Sequence, residues 1–349
     1  LHLSIRRQRQ MCIRDRNKAL PVINGAFSPD GGPKANYTTN LNMCETSNKG
    51  FELALNTRNI ITKNFTWSSS VTFNHNKEKI TKLSGGDSDV LNNGDTGYAL
   101  ALGEAINSYY HYKLDGVWQK GEETDAAVFG AAPGDLKINI PNLVKESDGR
   151  FYKIDEETGS AAVDENGNVI YYTSDNKYTP SDADYQILGH NSPDWSLGFQ
   201  NNFTWKDFDL SVFVYARYGQ MFAYDMLTSY DPKGIRNFPT YFNYWTENNP
   251  SNDFPAANAN KGLEQYTGYY ALRYVDGSFI KIKNITLGYS LPKSILKSAG
   301  IEKCRFYATI TNPFVFAKSH LLKDYDPEMN GSLKYPLTKQ FVFGVNVTF

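Results

Sequence analysis

Runs of about ten residues in which apolar and polar side chains alternate recur along the chain, and they constrain its fold more than any other feature. Such runs start at Phe51, Phe65, Trp195, Phe208, Phe279, Cys304 and Phe341. Because successive side chains of a β-strand point to opposite faces, this period of two predicts strands with one apolar and one polar face. A tilted strand of about ten residues can cross the hydrocarbon layer of a membrane.

The links between these runs alternate in length. They are short at 59–64, 206–207 and 292–303, and long at 77–193, 220–277 and 314–338. Membrane barrels have short turns on one side and long loops on the other. In lipid every backbone polar group needs a partner, so only a closed sheet is tolerated. We therefore expect an all-β fold, an antiparallel transmembrane β-barrel. Since the seven runs do not include a closing partner, we expect the chain to be its C-terminal part.

Composition excludes two other classes of protein. No stretch approaches the roughly 20 apolar residues of a transmembrane helix. Lys and Arg number 36 against 37 Asp and Glu, so there is no basic surface of the kind that binds nucleic acid. Residues 1–16 carry five arginines without alternation, and we interpret them as foreign to the barrel portion at 17–349.

The strongest resemblance to known proteins lies in the last 75 residues. The segment SFIKIKNITLGYSLP at 278–292 resembles a motif of the SusC/RagA type of TonB-linked outer-membrane proteins. The turn at 292–301, the sequence YDPEMNG at 325–331 and the closing run 341–349 are also similar to that family. Shorter matches include NKGFE at 48–52, YKLDG at 112–116, PGD at 133–135 and FDLS at 208–211.

The resemblance implies a 22-stranded barrel of the bacterial outer membrane that encloses an N-terminal plug. It implies an importer of oligosaccharides or oligopeptides, energised through TonB and capped by a SusD-like lipoprotein. The chain departs from the family pattern in lacking the signal peptide, the plug and the TonB box. After PGD it continues as Lys137–Pro141 and a longer insert rather than as an acidic run, so no loop metal site is assigned.

The closing run also resembles a recognition sequence for the barrel-assembly machinery, which pairs with an exposed strand edge. The residues that carry this resemblance are Phe341, Phe343, Gly344, Val345, Val347 and Phe349. The same side chains are expected to face outer-membrane lipid, and the two roles are compatible.

Candidate contacts for the cargo lie in the second long link. Tyr241, Tyr244 and Trp245 stand among Asn243, Asn248 and Asn249. Aromatic faces stack on sugars while amides hold hydroxyls, so these three rings are candidate substrate-binding residues. Packing against neighbouring loops, or against the lipoprotein, would explain them equally well.

The sequence carries no set of residues that predicts an enzyme, a cofactor or a metal site. Ser294 and Lys297 have SxxK spacing, but the accompanying motifs are reversed in order or missing. The five histidines are not at metal-ligand spacing. The stretch 164–168 has its glycine too early for a calcium loop, and we interpret it as a hairpin turn. The alternative function is a secreted, soluble all-β adhesin or glycan-binding module, whose sheets would pack face to face and bury the aromatic rows.

Overall fold

The structure is a computed structural model that describes residues 2–19, 38–83, 90–93, 98–229, 240, 242–297 and 300–349, with side chains from 45 onward except 90–93 and 264. In chain order the strands are β1 (His2–Ala19), β2 (Thr38–Ile61), β3 (Phe65–Leu83), β4 (Val90–Asn93), β5 (Tyr98–Ala101), β6 (Ser108–His111), β7 (Lys113–Val117), β8 (Leu136–Asn139), β9 (Leu143–Lys145), β10 (Phe151–Lys153), β11 (Tyr171–Tyr172), β12 (Gln186–His190), β13 (Trp195–Trp205), β14 (Phe208–Tyr218), β15 (Met221–Ala223), β16 (Tyr274–Asp276), β17 (Phe279–Ser290), β18 (Lys303–Ala317) and β19 (Gln340–Thr348). Two short helices, α1 (Glu123–Val128) and α2 (Lys293–Leu296), lie in links.

Eight long strands form one antiparallel sheet in the order β1-β2-β3-β13-β14-β17-β18-β19. Each of the seven predicted runs falls on one of these strands, which confirms the all-β antiparallel fold. The connections within the sheet are short at 62–64, 206–207 and 291–302, and long at 84–194, 219–278 and 318–339. Their lengths alternate, so the long links all leave from the same end of the sheet.

Strand register brings the apolar residues of all these runs onto one face. Across six strands, direct pairing aligns Trp67, Phe203, Leu210, Leu287, Ala308 and Phe343. The neighbouring row on the other face is Ser68, Asn202, Ser211, Thr286, Thr309 and Val342. We call these the apolar face and the polar face. The apolar face is open, since Leu287 is 50% exposed and Phe343 is 81% exposed. The aromatic rows are therefore exposed. The adhesin alternative requires them to be buried against a second sheet.

A β-bulge at Lys283 explains why β17 reads out of phase in the sequence. Pairing with β14 passes from Ile282 to Asn284 without a partner for Lys283, and the same step occurs against β18. The extra residue lets Ile280 and Ile282 share the apolar face with Ile285, while Lys281 and Lys283 both point away from it. In the sequence Lys281 and Lys283 share the parity of Ile285, Leu287 and Tyr289, and the bulge accounts for this exception.

The long links fold together into a structure that we call the cap, formed in the described chain by residues 98–194, 219–229, 240, 242–278 and 318–339. One of its cores joins the second and third links and contains Phe222, Tyr224, Leu227, Phe242, Phe254, Val275 and Leu322. Another core joins the first and second links and contains Val117, Leu136, Trp245, Tyr266 and Tyr269. Since each core draws on two links, the cap is a packed unit rather than a set of independent loops.

The first long link does not contribute a further strand to the large sheet in the described residues. In the sequence 108–119 also reads as a strand, and if it crossed the membrane it would need a partner, for which 169–172 is the candidate. Instead, β6 pairs with β5 and β12, and β7 pairs with β8. Tyr171 and Tyr172 form β11, which pairs with β10. These strands are two to five residues long, too short to span hydrocarbon.

At the N-terminal end, β1 pairs with β2 along its backbone. The interpretation of residues 1–16 as foreign concerns the origin of the sequence and stays a prediction. In the part of the chain that the structure describes, no helix combines the length and the apolar character that a membrane crossing requires.

Candidate functional site

A cleft in the cap is the best candidate for a binding site. It has a volume of about 420 Å³, within the usual range for ligand pockets. Its walls come from all three long links: Tyr112, Lys113, Leu114, Gly116, Gln186, Ile187, Leu188, Met221, Asn252, Asp253, Ala271, Leu272, Tyr274 and Leu321. Apolar side chains, tyrosine rings and a few polar groups thus converge on one space.

Two walls of the cleft are edge strands. β12 is the last strand of its four-stranded sheet, and β7 pairs only with β8 among the described strands. An edge strand presents N–H and C=O groups that lack a ladder partner. Val117 uses both of its groups internally, because its N–H donates to Oδ1 of Asn252 at 3.2 Å and its C=O accepts from Nε2 of Gln119 at 2.7 Å. Backbone groups along these two edges are of the kind that can bind a polar cargo.

The polar side chains of the cleft have opposite charges at separate positions. Lys113 is exposed on β7. Asp253 accepts hydrogen bonds from the Asn243 amide at 3.3 Å and is 2.9 Å from Nε2 of His320. On the β12 side, the amide of Gln186 donates to the backbone oxygen of Asn139 at 2.9 Å. The arrangement therefore offers a cation, an anion and an oriented amide to one ligand.

A cluster of aromatic rings supports the wall around Tyr112 and Tyr274. The ring of Tyr185 stacks on His111 with centroids 4.8 Å apart and meets Tyr112 edge-on at 4.7 Å. Burial, followed by the nearby Arg273 charge, lowers the pKa of His111 to about 4. The imidazole is therefore neutral at neutral pH and packs as an aromatic ring.

The three predicted cargo-contacting residues occupy different environments. Tyr241 lies outside the described residues. Trp245 is 8% exposed, belongs to the second cap core, and donates from Nε1 to Oε1 of Gln119 at 2.9 Å. Tyr244 is 39% exposed and forms a bridge with Phe254, which directly follows the cleft residue Asp253. Of the two described residues, Tyr244 has the ring surface that a cargo could touch.

Sequence reasoning did not identify the cleft itself. Gln186 stands in the first long link, Asp253 and Tyr274 stand far apart in the second, and none of them belongs to a recognised motif. Their proximity depends on the packing of the cap, which no local pattern reports. The only pointer in the sequence was the abundance of tyrosine in the long links.

Charges on the polar face of the sheet are paired across strands. Arg305 of β18 binds Asp209 of β14 through Nε at 2.8 Å and through a second nitrogen at 2.5 Å. This bidentate pair crosses the intervening strand β17 at Gly288, where a Cβ atom would collide with both side chains. The lack of a side chain at Gly288 therefore allows the ion pair to lie flat along the polar face of the sheet.

The residues of the predicted assembly sequence lie on β19, except Phe349, which directly follows the strand. Within the described sheet this strand pairs only with β18. Phe341, Phe343 and Phe349 are exposed, and Val345 and Val347 lie on the same face. Gly344 is on the opposite face, in close approach to the Tyr307 ring. The strand has the exposed edge and the apolar row that recognition by strand pairing requires, and the role stays a prediction.

The other motifs that the sequence singled out have structural explanations. In the stretch 164–168, Oδ1 of Asp164 accepts from the N–H groups of Asn166 and Asn168, at 2.9 Å each. Val163 and Val169 pair across it, so the predicted hairpin turn is confirmed. Among the residues described, no group of three or more His, Cys, Asp or Glu side chains is placed to hold a metal ion.

Comparison with known proteins relates this chain to a specific set of receptors. No model of a protein family matches. TonB-dependent receptor P3 of Formosa agariphila is 28% identical over 330 residues, which is 88% of this chain and 29% of the relative. TonB-dependent receptor SusC of Bacteroides thetaiotaomicron is 26% identical over 339 residues, or 94% of this chain and 29% of the relative. The chain thus spans about three tenths of the length of these relatives.

The solved structures agree at the level of the fold. The structure of the RagAB peptide transporter matches with a TM-score of 0.63 at 24% identity, covering 90% of this chain and 30% of the other. The RagAB peptide importer in its closed-closed state matches with a TM-score of 0.64 over 95% of this chain. The proteins that this chain resembles are receptors and transporters rather than enzymes. The resemblance carried by the sequence motifs is thereby confirmed: the chain is similar in sequence to TonB-dependent receptors, SusC among them, and shares the β-sheet fold of part of the RagAB transporter structure.

Proposed function

We propose that the protein is a TonB-dependent nutrient importer that takes up oligosaccharides or oligopeptides with a SusD-like lipoprotein. The single observation that carries this proposal is the exposed apolar face, which extends over the strands of the large sheet. In water such an area of Phe, Leu, Val and Ile side chains would promote aggregation, whereas in a bilayer it meets acyl chains. The long links would then lie outside the cell, with the cap and its cleft facing incoming cargo.

Two further observations support import rather than adhesion. The polar face has paired charges and hydroxyls, as the wall of a watery passage requires, including the hydrogen bond between Thr286 and Thr309 at 2.9 Å. The cleft offers rings, amides and strands that are edges among the described residues, which suit a flexible polar cargo of either class. The relatives named SusC and RagAB include a transporter of peptides, which is consistent with this proposal.

The test is uptake by the native producer. Cells with the gene and its neighbouring lipoprotein gene would be given fluorescent oligosaccharides and oligopeptides, and internal fluorescence would be compared with that of a gene deletion. We expect one class of cargo to enter, and entry to stop when TonB is deleted. Entry that persists without TonB would contradict energised import. Recovery of the protein in the aqueous fraction, rather than in the outer membrane, would support the adhesin.

A further inference from the structure

We propose that the turn at 325–331 is a latch that fastens the rest of the cap to the polar face of the large sheet and thereby sets the shape of the cleft. The role in cargo binding rests on the proposed function, whereas the fastening itself does not.

The first attachment of the turn is a buried ion-pair network on β17. Lys281 is completely buried, and its Nζ lies 2.5 Å from a carboxylate oxygen of Asp326 and 2.9 Å from one of Glu328. Lys283 reaches the other oxygen of Glu328 at 2.6 Å. The bulge in β17 makes this possible, because it turns both lysines away from the apolar face.

The second attachment is at the end of β14. Asn330 has a left-handed backbone with φ of 51°, and its Oδ1 accepts from Nε2 of Gln220 at 2.8 Å and from Arg217 at 3.4 Å. Gly331 follows with φ of 81°, and a Cβ there would collide with the backbone oxygen of Ala223. A turn with these two conformations is held closely against β15.

The third attachment joins the turn to the first cap core. The ring of Tyr325 packs on Tyr224 with centroids 4.4 Å apart, and its hydroxyl donates to the backbone oxygen of Ser332 at 3.1 Å. One side of the turn therefore contacts the large sheet, and the other side contacts the rest of the cap. Seven residues connect the two parts of the molecule.

The latch is connected to the cleft through chain neighbours. Met221, which directly follows Gln220, and Leu321, four residues before Tyr325, both line the cleft. If the turn detached from the large sheet, Met221 and Leu321 would no longer be held in position. The network is also cooperative, because removal of Lys281 leaves two carboxylates in a confined place with only Lys283 to neutralise them.

The experiment uses four forms of the protein in outer-membrane vesicles. They are the wild type, Lys281→Met, the neutral combination of Lys281→Met, Asp326→Asn and Glu328→Gln, and the control Lys318→Met. Lys318 is a suitable control, because its ion pair with Asp276 has a similar length of 2.6 Å but is largely exposed. Amide hydrogen exchange of residues 319–332 and 219–224 is measured without cargo, and the affinity for fluorescent oligosaccharides and oligopeptides is measured separately.

We expect Lys281→Met to speed exchange in both segments roughly tenfold or more, and Lys318→Met to leave it nearly unchanged. The neutral combination has no fully buried charge and leaves only the partly exposed Lys283 without its carboxylate, so it should restore most of the protection. Unchanged exchange in Lys281→Met would overturn the latch. If Lys281→Met shows faster exchange but binds the cargo probes with wild-type affinity, the claim that the turn sets the shape of the cleft is overturned. If Lys281→Met does not reach the membrane, Glu328→Gln is used in its place, because Lys281 then still has its ion pair with Asp326. The exchange rate and the cargo affinity of that variant decide in the same way. A wild type that binds no cargo would refute the importer and leave the exchange result valid.

Discussion

Ile285 lies on the apolar face of β17, opposite Val212 and Ile310, and its replacement by lysine should be far more costly than the same change at its neighbour. It stands five residues from Ser290, the last residue of the strand. At about 3.3 Å per residue and a tilt near 45°, it lies about 12 Å from the short-turn end of the hydrocarbon layer. That depth is close to the middle of an apolar band about 25 Å tall, where a lysine on the lipid face costs about 2–4 kcal/mol.

The matched control is Thr286→Lys, one residue along the strand and on the polar face. It loses the hydrogen bond to Thr309, which is worth about 1 kcal/mol. Each variant would be expressed in the native producer, and the amount of folded, heat-modifiable barrel in the outer membrane would be compared, with the urea midpoint in lipid vesicles as a second measure. We expect Ile285→Lys to be depleted and Thr286→Lys to approach the wild type. Equal losses, or a greater loss at Thr286, would refute the assignment of the two faces.

Deletion of Phe349 should lower the outer-membrane level of the protein if β19 is recognised during assembly, and a normal level of this deletion on immunoblots would refute that role. Tyr244→Ala should slow cargo uptake with little effect on stability, whereas Trp245→Ala should destabilise the cap by about 3–5 kcal/mol, measured as faster amide exchange in the cap; uptake unchanged in Tyr244→Ala would remove that contact. Burial alone would raise the pKa of Asp184, but hydrogen bonds from Lys153 and Tyr178 lower it, so its stabilising effect is complete above about pH 4 and is lost as the pH falls through the lowered value. Asp184→Asn should therefore reduce the loss of cap protection on acidification, and an unaltered pH profile of exchange would contradict this.

The strands of the large sheet could be predicted from the sequence because the property that defines them is local. Alternation is visible within each run, and the turn at 206–207 is visible from the reversal of phase. Even the bulge at Lys283 could be inferred, since two lysines on an otherwise apolar parity require a shift of register. The structure added the register between runs, which aligns these rows across strands as distant in sequence as β3 and β13.

The cap could not be predicted in the same way. Its strands are short, and its contacts join distant residues, as when Trp245 donates to Gln119. The sequence led to Trp245 as a cargo contact because an aromatic residue in a loop looks the same whether its ring is exposed or buried. The latch was equally hidden: YDPEMNG was recognised as a motif, but the pairing of its acids with Lys281 and Lys283 appears only when β17 and the turn meet.

The apolar and polar environments can be measured directly by a nitroxide scan of β14 in lipid vesicles. A label placed in turn at each position from 208 to 218 would report its collision rates with oxygen, which concentrates in acyl chains, and with a water-soluble nickel chelate. We predict a period of two, with oxygen collisions highest at Leu210, Val212 and Val214 and nickel collisions highest at the residues between them. Uniformly low collision rates with both reagents along Leu210, Val212 and Val214, as inside a packed protein core, would contradict a lipid-facing barrel wall.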